Sequence, residues 1–572
     1  TSSLVGSEMC IRDSSQETER LWVDTIIDET ALEEIYFPGF QAAVEKGHTL
    51  ALMGAYNLLN GEHCCMSKSL LNEKLRKDWS FDGVVISDWG AVHDTKLAAE
   101  SGLDLEMDVK YQFDEQYMAD PLLKAVKDGE IEESLVDEKV RNILRMMLRL
   151  KMIGPERKHR KTGAYNTEEH RRAVLDVARE SMILLKNEDQ VLPLQAESGC
   201  KVAVIGANAA AIHSNGGGSA EIKALYEISP LMGIKKLLGG NVKVSYAPGY
   251  VIPDKKEASE INWQAASTET AEDTEKESTI SGRALDEKQQ EALAEAVALA
   301  KASDIVIFVG GLNHDFDVEG LDRVNMKLPY GQDEVIDALL KAVPDTVVCM
   351  YAGAPVEMPW AEKAKAILWS YYAGMEGGTA LAEILSGKVN PSGKLAETFI
   401  RDASQCPAHT IGTFGKKDRV EYREGVMVGY RYYDTKKTDV LFPFGHGLSY
   451  TAFTYNDLEI IRQQENGRQT VKVSCSVTNT GKCAGKETIQ IYVAPEQKKD
   501  RPVHELKAFE KVRLDAGETK RICVILEERD FSRYDTDKKM PVPVNGTYEI
   551  QVGASSTDIC LCGKIDLFFA EG

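Results

Sequence analysis

Apolar and polar positions follow three different rhythms along the chain. From about Gln16 to Gly154, helix-like and strand-like stretches succeed one another. Leu32, Ile35, Tyr36, Phe40, Ala43 and Val44 recur at helical spacing. They predict a helix over Glu29 to Lys46, kinked or split at Pro38-Gly39. A short apolar run covers Leu50 to Tyr56, and a second helix is expected over Leu70 to Trp79. Gly83-Val84-Val85-Ile86-Ser87-Asp88 is short and rich in β-branched residues, as a strand buried on both faces would be. Leu103 to Met107 is a third strand candidate, and Leu122 to Met152 reads as helices broken at Asp128-Gly129. Strands alternating with helices predict an α/β unit with a parallel sheet.

The second rhythm runs from about Asn166 to Phe399. A helix is expected over Glu168 to Leu185, then strands at Lys201 to Ile205, Asp304 to Val309, Thr346 to Tyr351 and Ala366 to Trp369. Asp286 to Ala302 is a clear helix between them. Glu257 to Arg283 is polar and reads as an exposed insertion. The third rhythm begins near Pro443 and is strand-like throughout. Strands are expected at Val471 to Val477, Thr488 to Val493, Arg521 to Leu526 and Tyr548 to Val552, with turns at Asn479-Thr480-Gly481 and Asn545-Gly546. This part predicts an all-β sandwich of immunoglobulin or fibronectin type. The expected fold class is therefore multidomain α/β plus all-β.

Length supports this division, because 572 residues exceed one hydrophobic core. The net charge of -22 argues against a nucleic-acid partner, which would need clustered Lys and Arg. No stretch approaches ~18 uninterrupted apolar residues, so no membrane span is expected. The 11 cysteines are scattered, apart from Cys64-Cys65 and the Cys560/Cys562 pair, and show neither a disulfide framework nor a zinc spacing. They lean towards a reducing, cytoplasmic setting. Residues 1–14, Thr1 to Ser14, resemble a translated sequencing adapter and lack the features of a signal peptide. The native N-terminus is expected to be missing, which leaves localisation unread.

Asp88 is the first candidate for chemistry. It ends an apolar strand, where a carboxylate stands at the C-terminal edge of a parallel sheet, and the adjacent Trp89 offers a flat face to a sugar ring. The spacing alone fits equally an Asp that caps the next helix.

The surrounding motifs settle the choice. Met53-Gly54-Ala55-Tyr56-Asn57, Asn60-Gly61, Leu70-Leu71 and Trp79 precede Phe81-Asp82-Gly83-Val84-Val85-Ile86-Ser87-Asp88-Trp89-Gly90. Together they resemble the family 3 β-glucosidases. The resemblance continues through Leu184 to Asn187, Leu192 to Leu194, Gly216 to Ala220, Glu319 to Arg323 with Leu328-Pro329, Asn390 to Lys394, Pro443 to Tyr450, Arg501-Pro502, Glu505 to Lys507 and Phe509. It implies the C-terminal part of a (β/α)8-type barrel over 15–154, an α/β sandwich domain over 166–400 and a fibronectin type III-like domain over 443–572. It also implies a retaining glycosidase with Asp88 as nucleophile and Tyr56 beside it.

A retaining mechanism needs a second carboxyl group, ~5–5.5 Å from the nucleophile and able to carry a proton. By the resemblance it comes from a loop of the second domain. Glu319 is the favoured acid/base, because its polar loop follows the strand ending near Val309 and the glycines Gly310-Gly311. Glu376 and Asp317 are the alternatives, and each could instead brace local backbone. Arg20 lies in Gln16 to Arg20, a stretch similar to one near the family's sugar-binding residues, and joins Tyr56 and Trp89 as a candidate substrate contact. No metal or organic cofactor is implied. The expected partner is a small oligosaccharide or an aryl or alkyl β-glucoside, with homo-oligomerisation open.

The resemblance also exposes departures. A barrel has eight strands, and about three are legible. The family's upstream Asp, Arg and Lys-His pair have no counterpart. The chain is thus expected to be an N-terminally truncated fragment, inactive as it stands. The alternatives are a β-xylosidase or α-arabinofuranosidase of the same fold, an N-acetylglucosaminidase and, more remotely, a non-catalytic carbohydrate-binding protein. Val202 to Asn208 forms a strand entering a Gly turn but lacks a full dinucleotide fingerprint. The sandwich shows no aromatic stripe and is expected to brace the other domains.

Overall fold

The architecture was derived from a computed structural model. It describes residues 3–4, 16–159, 161–253, 282–465, 468–496 and 501–569. Most of the polar insertion expected at Glu257 to Arg283 lies outside the described residues.

Val84–Trp89 is a strand, and it lies at the centre of a parallel sheet. It pairs with Ala51–Gly54 on one side and Leu105–Met107 on the other, while Ser3–Leu4 lies beyond Ala51–Gly54. Val84, Val85 and Ser87 are buried, as β-branched residues in an inner parallel strand should be. Asp104 anchors the sheet from below. Its carboxylate accepts from the Val85 N–H at 2.8 Å, from Asn142 Nδ2 at 2.8 Å and from Arg76 Nη2 at 2.5 Å. Lys139 donates to the Ser101 and Leu103 carbonyls beside it, and burial pushes its amine down to about 8.

The helix expected over Glu29 to Lys46 forms, but Pro38 does not split it. Leu32–Tyr36 is a π-helical turn that carries Glu29–Ala31 into Phe37–Glu45. The Phe37 N–H reaches Leu32 O, so the wider turn comes just before the residue that has no N–H to give. On the helix Glu133–Arg149, Val140, Leu144 and Leu148 are 46%, 44% and 50% exposed along one face. Among the described residues, no helix is long and apolar enough to cross a membrane.

The second unit is a six-stranded sheet. Its order is Lys243–Ala247, Lys201–Ile205, Ile305–Gly311, Val347–Tyr351, Ala366–Trp369 and Ile183–Asn187. The first five are parallel and the last is antiparallel. The expected helix over Glu168 to Leu185 therefore ends earlier, at Ser181, and its apolar tail is the edge strand Ile183–Asn187. Alternate residues serve the two faces: Ala203 and Ile205 join one core, Val202 and Val204 the other. Such two-sided burial is why these strands read as unbroken apolar runs.

The third unit packs a three-stranded sheet, Phe453–Glu465, Arg468–Asn479 and Thr519–Leu526, on a four-stranded one. The latter contains Glu505–Leu514, Gly485–Pro495, Gly546–Gly553 and Ile559–Leu567. This is the fibronectin-like sandwich, and it does brace its neighbours. Lys486 and Lys511 both pair with Glu180 of the second unit. Arg501 meets Glu34 of the first at 2.5 Å, and Glu34 also accepts from the Tyr534 N–H at 2.8 Å. The connector between the α/β unit and the sandwich adds Arg419–Glu421, which pairs in parallel with Asp24–Ile26.

Glu505 lies at the seam of the sandwich with the connector and, through Arg501, with the first unit. Burial alone would raise its carboxyl, but Lys507, Arg431 and Arg501 hold it down at about 2, against an ordinary value of 4.5. A depressed carboxyl stabilises the fold above the unfolded-state value, and that contribution is lost as pH falls from about 4.5 to about 2. Glu505→Gln should therefore cost about 2–4 kcal/mol near neutrality and flatten this acid arm. Melting temperatures of both proteins across that pH range test it; parallel curves would show that Glu505 does not carry the seam.

Candidate active site

Asp88 stands at the C-terminal end of the central strand of the first sheet, flanked on both sides by parallel neighbours. The strand's hydrogen bonds hold the adjacent backbone: Met107 N–H donates to Ser87 Oγ, and Ser87 Oγ donates to Asp88 O, both at 2.8 Å. The Trp89 N–H donates to Asp88 Oδ1 at 2.7 Å. Tyr56 follows the neighbouring strand Ala51–Gly54, and its phenol lies beside the Asp88 carboxylate, close enough for each group to shift the other. Burial pushes the Asp88 carboxyl above its ordinary value, against the Trp89 amide, the Tyr56 hydroxyl and Arg20. The same burial, with the Asp88 charge beside it, drives the Tyr56 phenol far above its usual range.

Glu319 reaches this point from the second unit. Its loop leaves the C-terminal end of Ile305–Gly311 and ends at the helix Gln332–Ala342. Gly311 makes the exit tight: its φ is 128°, and a Cβ there would lie 1.8 Å from Tyr351 O. A second loop supports the first. Gly217 forms a parallel bridge with Val318, so close that a Cβ on Gly217 would stand 3.0 Å from Val318 Cγ2. That contact aims the Ser219 N–H at Glu319 Oε2, at 2.6 Å. Glu319 Oε1 accepts from Arg20 Nη2 at 2.7 Å. Burial raises the Glu319 carboxyl, but the bonds from Ser219 and Arg20 outweigh it and hold the group below its ordinary value.

Arg20 joins the two carboxylates. Its guanidinium carbon lies 5.1 Å from the centroid of the Tyr56 ring, and Tyr56 in turn holds Asp88. Asp88, Tyr56, Arg20 and Glu319 thus form one continuous set of contacts across two domains. Trp89, next to Asp88, is 50% exposed and free to offer its ring.

The alternatives lie elsewhere. Glu376 accepts from Tyr226 at 2.7 Å and from Thr379 Oγ1 at 2.6 Å, at the start of the helix Gly377–Leu385. Asp317 accepts from the Gly353 N–H at 2.5 Å and from the Tyr372 hydroxyl at 2.9 Å. Both are spent on partners within the second unit, Glu376 on two hydroxyls and Asp317 on one hydroxyl and one backbone N–H.

Sequence reasoning missed two participants: Glu17, and Ser219 as a donor. Glu17 joins Arg20 to the Glu319 loop through contacts 303 residues apart, which no local pattern foretells. Ser219 lies in a glycine-rich stretch legible only as permissive backbone. Trp22, 53% exposed, lies 4.3 Å from His93 between ring centroids, with His63 alongside. Burial pushes His93 down to about 4, so this stack is uncharged near neutrality.

Comparison with known proteins matches the fold. Residues 12–146 match the glycosyl hydrolase family 3 N terminal domain, residues 182–450 the glycosyl hydrolase family 3 C-terminal domain, and residues 487–556 a fibronectin type III-like domain. The chain is 39% identical over 549 residues to thermostable beta-glucosidase B of Acetivibrio thermocellus, covering 96% of this chain and 67% of that protein. It is 35% identical to an exo-alpha-(1->6)-L-arabinopyranosidase of Bifidobacterium longum, covering 96% of this chain and 67% of that one. The crystal structure of a Bifidobacterium adolescentis GH3 beta-glucosidase superposes with a TM-score of 0.83 at 34% identity, covering 97% of this chain and 75% of that chain. Sequence, fold and the convergence of two carboxylates agree: the chain belongs to glycoside hydrolase family 3.

Proposed function

We propose that the chain carries the active site of a retaining β-glucosidase, which releases β-D-glucose from the non-reducing ends of small β-glucosides. One observation carries the assignment of roles. Two carboxylates from separate domains, Asp88 and Glu319, meet through Tyr56 and Arg20, and no other carboxylate considered reaches Asp88.

In this reading Asp88 attacks the anomeric carbon while Glu319 protonates the departing glycosidic oxygen. A covalent glycosyl–enzyme forms and the aglycone leaves. Glu319, now a carboxylate, takes a proton from water. The water oxygen displaces Asp88, and the sugar departs with its configuration retained. Tyr56 holds the Asp88 carboxylate on line, and Trp89 offers a ring for stacking. Arg20 stands against Glu319 and, with the Ser219 N–H, holds its carboxyl below its ordinary value, which suits the second step. Substrate must loosen that ion pair before Glu319 can act as an acid.

A second reading has specific support in the arabinopyranosidase relative, whose sugar lacks the hydroxymethyl arm of glucose and carries its C4 hydroxyl in the opposite configuration. Hydrolysis of aryl β-glucoside, β-xyloside, α-L-arabinopyranoside and α-L-arabinofuranoside separates the two. A dominant β-glucoside rate is expected; a dominant pentoside rate would keep Asp88 and overturn the sugar. The assays belong on the chain as it stands and on the chain joined to an upstream barrel segment. Turnover by the former would refute its expected inactivity.

In whichever form turns over, Asp88→Asn should lower kcat on the order of 10³-fold or more, with no covalent intermediate trapped. Glu319→Gln should cost about 10²–10⁴-fold on alkyl β-glucosides and much less on a dinitrophenyl glucoside, whose leaving group needs no proton. Equal losses on both substrates would remove Glu319 from the acid role.

The pH profile follows from the two shifts. Asp88 must be ionised, so the rate rises as pH climbs through its raised value. Glu319 must hold a proton in the first step, so the rate falls as pH climbs through its lowered value. The two limbs crowd together, and kcat/KM should form a narrow bell on the acid side of neutrality. A broad plateau across neutral pH would contradict the assignment.

A further inference from the structure

Glu319 does not set its own position. Glu17, in a segment of the first unit, binds both Arg20, which touches Glu319, and the peptide that follows Glu319. Glu17 Oε2 accepts from Arg20 Nη1 at 3.0 Å and from the Gly320 N–H at 3.0 Å. Its own N–H donates to Asp322 Oδ1 at 3.0 Å, the Thr18 N–H donates to Asp322 Oδ2 at 2.9 Å, and the Asp322 N–H donates to Thr18 Oγ1 at 3.2 Å. Residues 17–20 and 319–322 are thus laced together over two adjacent stretches of backbone.

We propose that Glu17 is a positioning residue for the acid/base: its one carboxylate holds the Arg20 guanidinium and the Gly320 peptide together, and so fixes where Glu319 stands relative to Asp88. This rests on the assignment of Glu319 above. The geometry explains why a carboxylate is needed. Arg20 offers a planar fork, and a free fork would close on Glu319 with both arms. Here one arm is taken, Nη1 by Glu17, and only Nη2 reaches Glu319. Glu17 keeps Arg20 close enough to steady Glu319 yet shares its charge, leaving Glu319 a carboxylate that can still take a proton from solvent.

The groups facing Glu319 define the electrostatics. From the first unit they are Arg20, Glu17, Tyr56 and Asp88; from the neighbouring loop, Ser219; from its own loop, Asp322, whose carboxylate is spent on the backbone of Glu17 and Thr18. Asp322 therefore supplies a control. It holds the same two segments together without touching Arg20.

The test compares Glu17→Gln, which keeps an oxygen for the Gly320 N–H but loses the charge, with Asp322→Asn. Three readouts are taken on the full chain: the Glu319 carboxyl titration by carbon-13 NMR, assigned with Glu319→Gln; the alkaline limb of kcat/KM for an aryl β-glucoside in the form that turns over; and the melting temperature. Glu17→Gln should let Arg20 close on Glu319 and move both the titration and the alkaline limb down by about half a pH unit or more. Glu17→Asp, which keeps the charge, should recover most of the shift. Asp322→Asn should lower the melting temperature and leave the titration in place. An unmoved titration in Glu17→Gln, or identical behaviour of the Gln and Asn variants, would reduce Glu17 to a structural tie and overturn the proposal. If no form hydrolyses β-glucosides yet the titration moves as expected, the glucosidase reading fails and the clamp on Glu319 stands.

Discussion

The site depends on one contact between domains, the lacing of residues 17–20 to residues 319–322. In the mechanism proposed above neither domain could act alone, because Asp88 ends a strand of the first sheet and Glu319 rides on a loop of the second. Retaining chemistry tolerates little error in the separation of those groups. Loops are the softer parts of a fold, so a catalytic group carried on one needs external support. Glu319 has three supports: the Gly217–Val318 bridge, the anchoring of Asp317 on Gly353 and Tyr372, and the reciprocal bonds of Glu17, Thr18 and Asp322. The last comes from the domain that holds Asp88, as does the direct Arg20–Glu319 bond, and together these two fix the distance between the carboxylates.

The rest of the architecture reads as a means of keeping that contact in place. The fibronectin-like sandwich touches both catalytic partners at a distance from the chemistry: Arg501 and Tyr534 grip Glu34 of the first unit, and Lys511 grips Glu180 of the second. The pairing of Arg419–Glu421 with Asp24–Ile26 adds a backbone link close in sequence to Arg20. A hinge between the two domains would have to break these contacts together. Ion pairs that are partly buried and share partners, such as Arg501 with Glu34 and Glu505, resist such motion better than isolated surface pairs do.

How much of this was legible in the sequence depended on the range of the interaction. Val84–Trp89 and the strands Lys201–Ile205 and Val347–Tyr351 were legible because burial on both faces leaves a dense β-branched signature. Asp88, Tyr56 and Glu319 were legible through motifs. Ile183–Asn187 was misread as helix because it continues the apolar run of Glu168–Ser181, and only antiparallel pairing with Ala366–Trp369 makes it a strand. Lys243–Ala247 and Arg419–Glu421 gave no signal, being short edge strands whose identity is conferred by their partners. Arg20 read equally as a solvated side chain, because its decisive partner lies 299 residues away.

Arg20 also shows why a site can be found in a sequence while its electrostatics cannot. The motif names a carboxylate and predicts that it carries a proton. The structure places a guanidinium 2.7 Å from that carboxylate, and this contact, together with the Ser219 N–H, holds the group below its ordinary value. Both statements hold if the proton is needed only when a glycosidic oxygen is present to receive it. An incoming sugar ring between Asp88 and Glu319 strips water from both groups and offers hydroxyls to Arg20. Both changes favour a neutral Glu319, the first by desolvation and the second by drawing the cation away. The ion pair then makes protonation conditional on occupancy, and Glu319 returns to the ionised state that the second step requires of it.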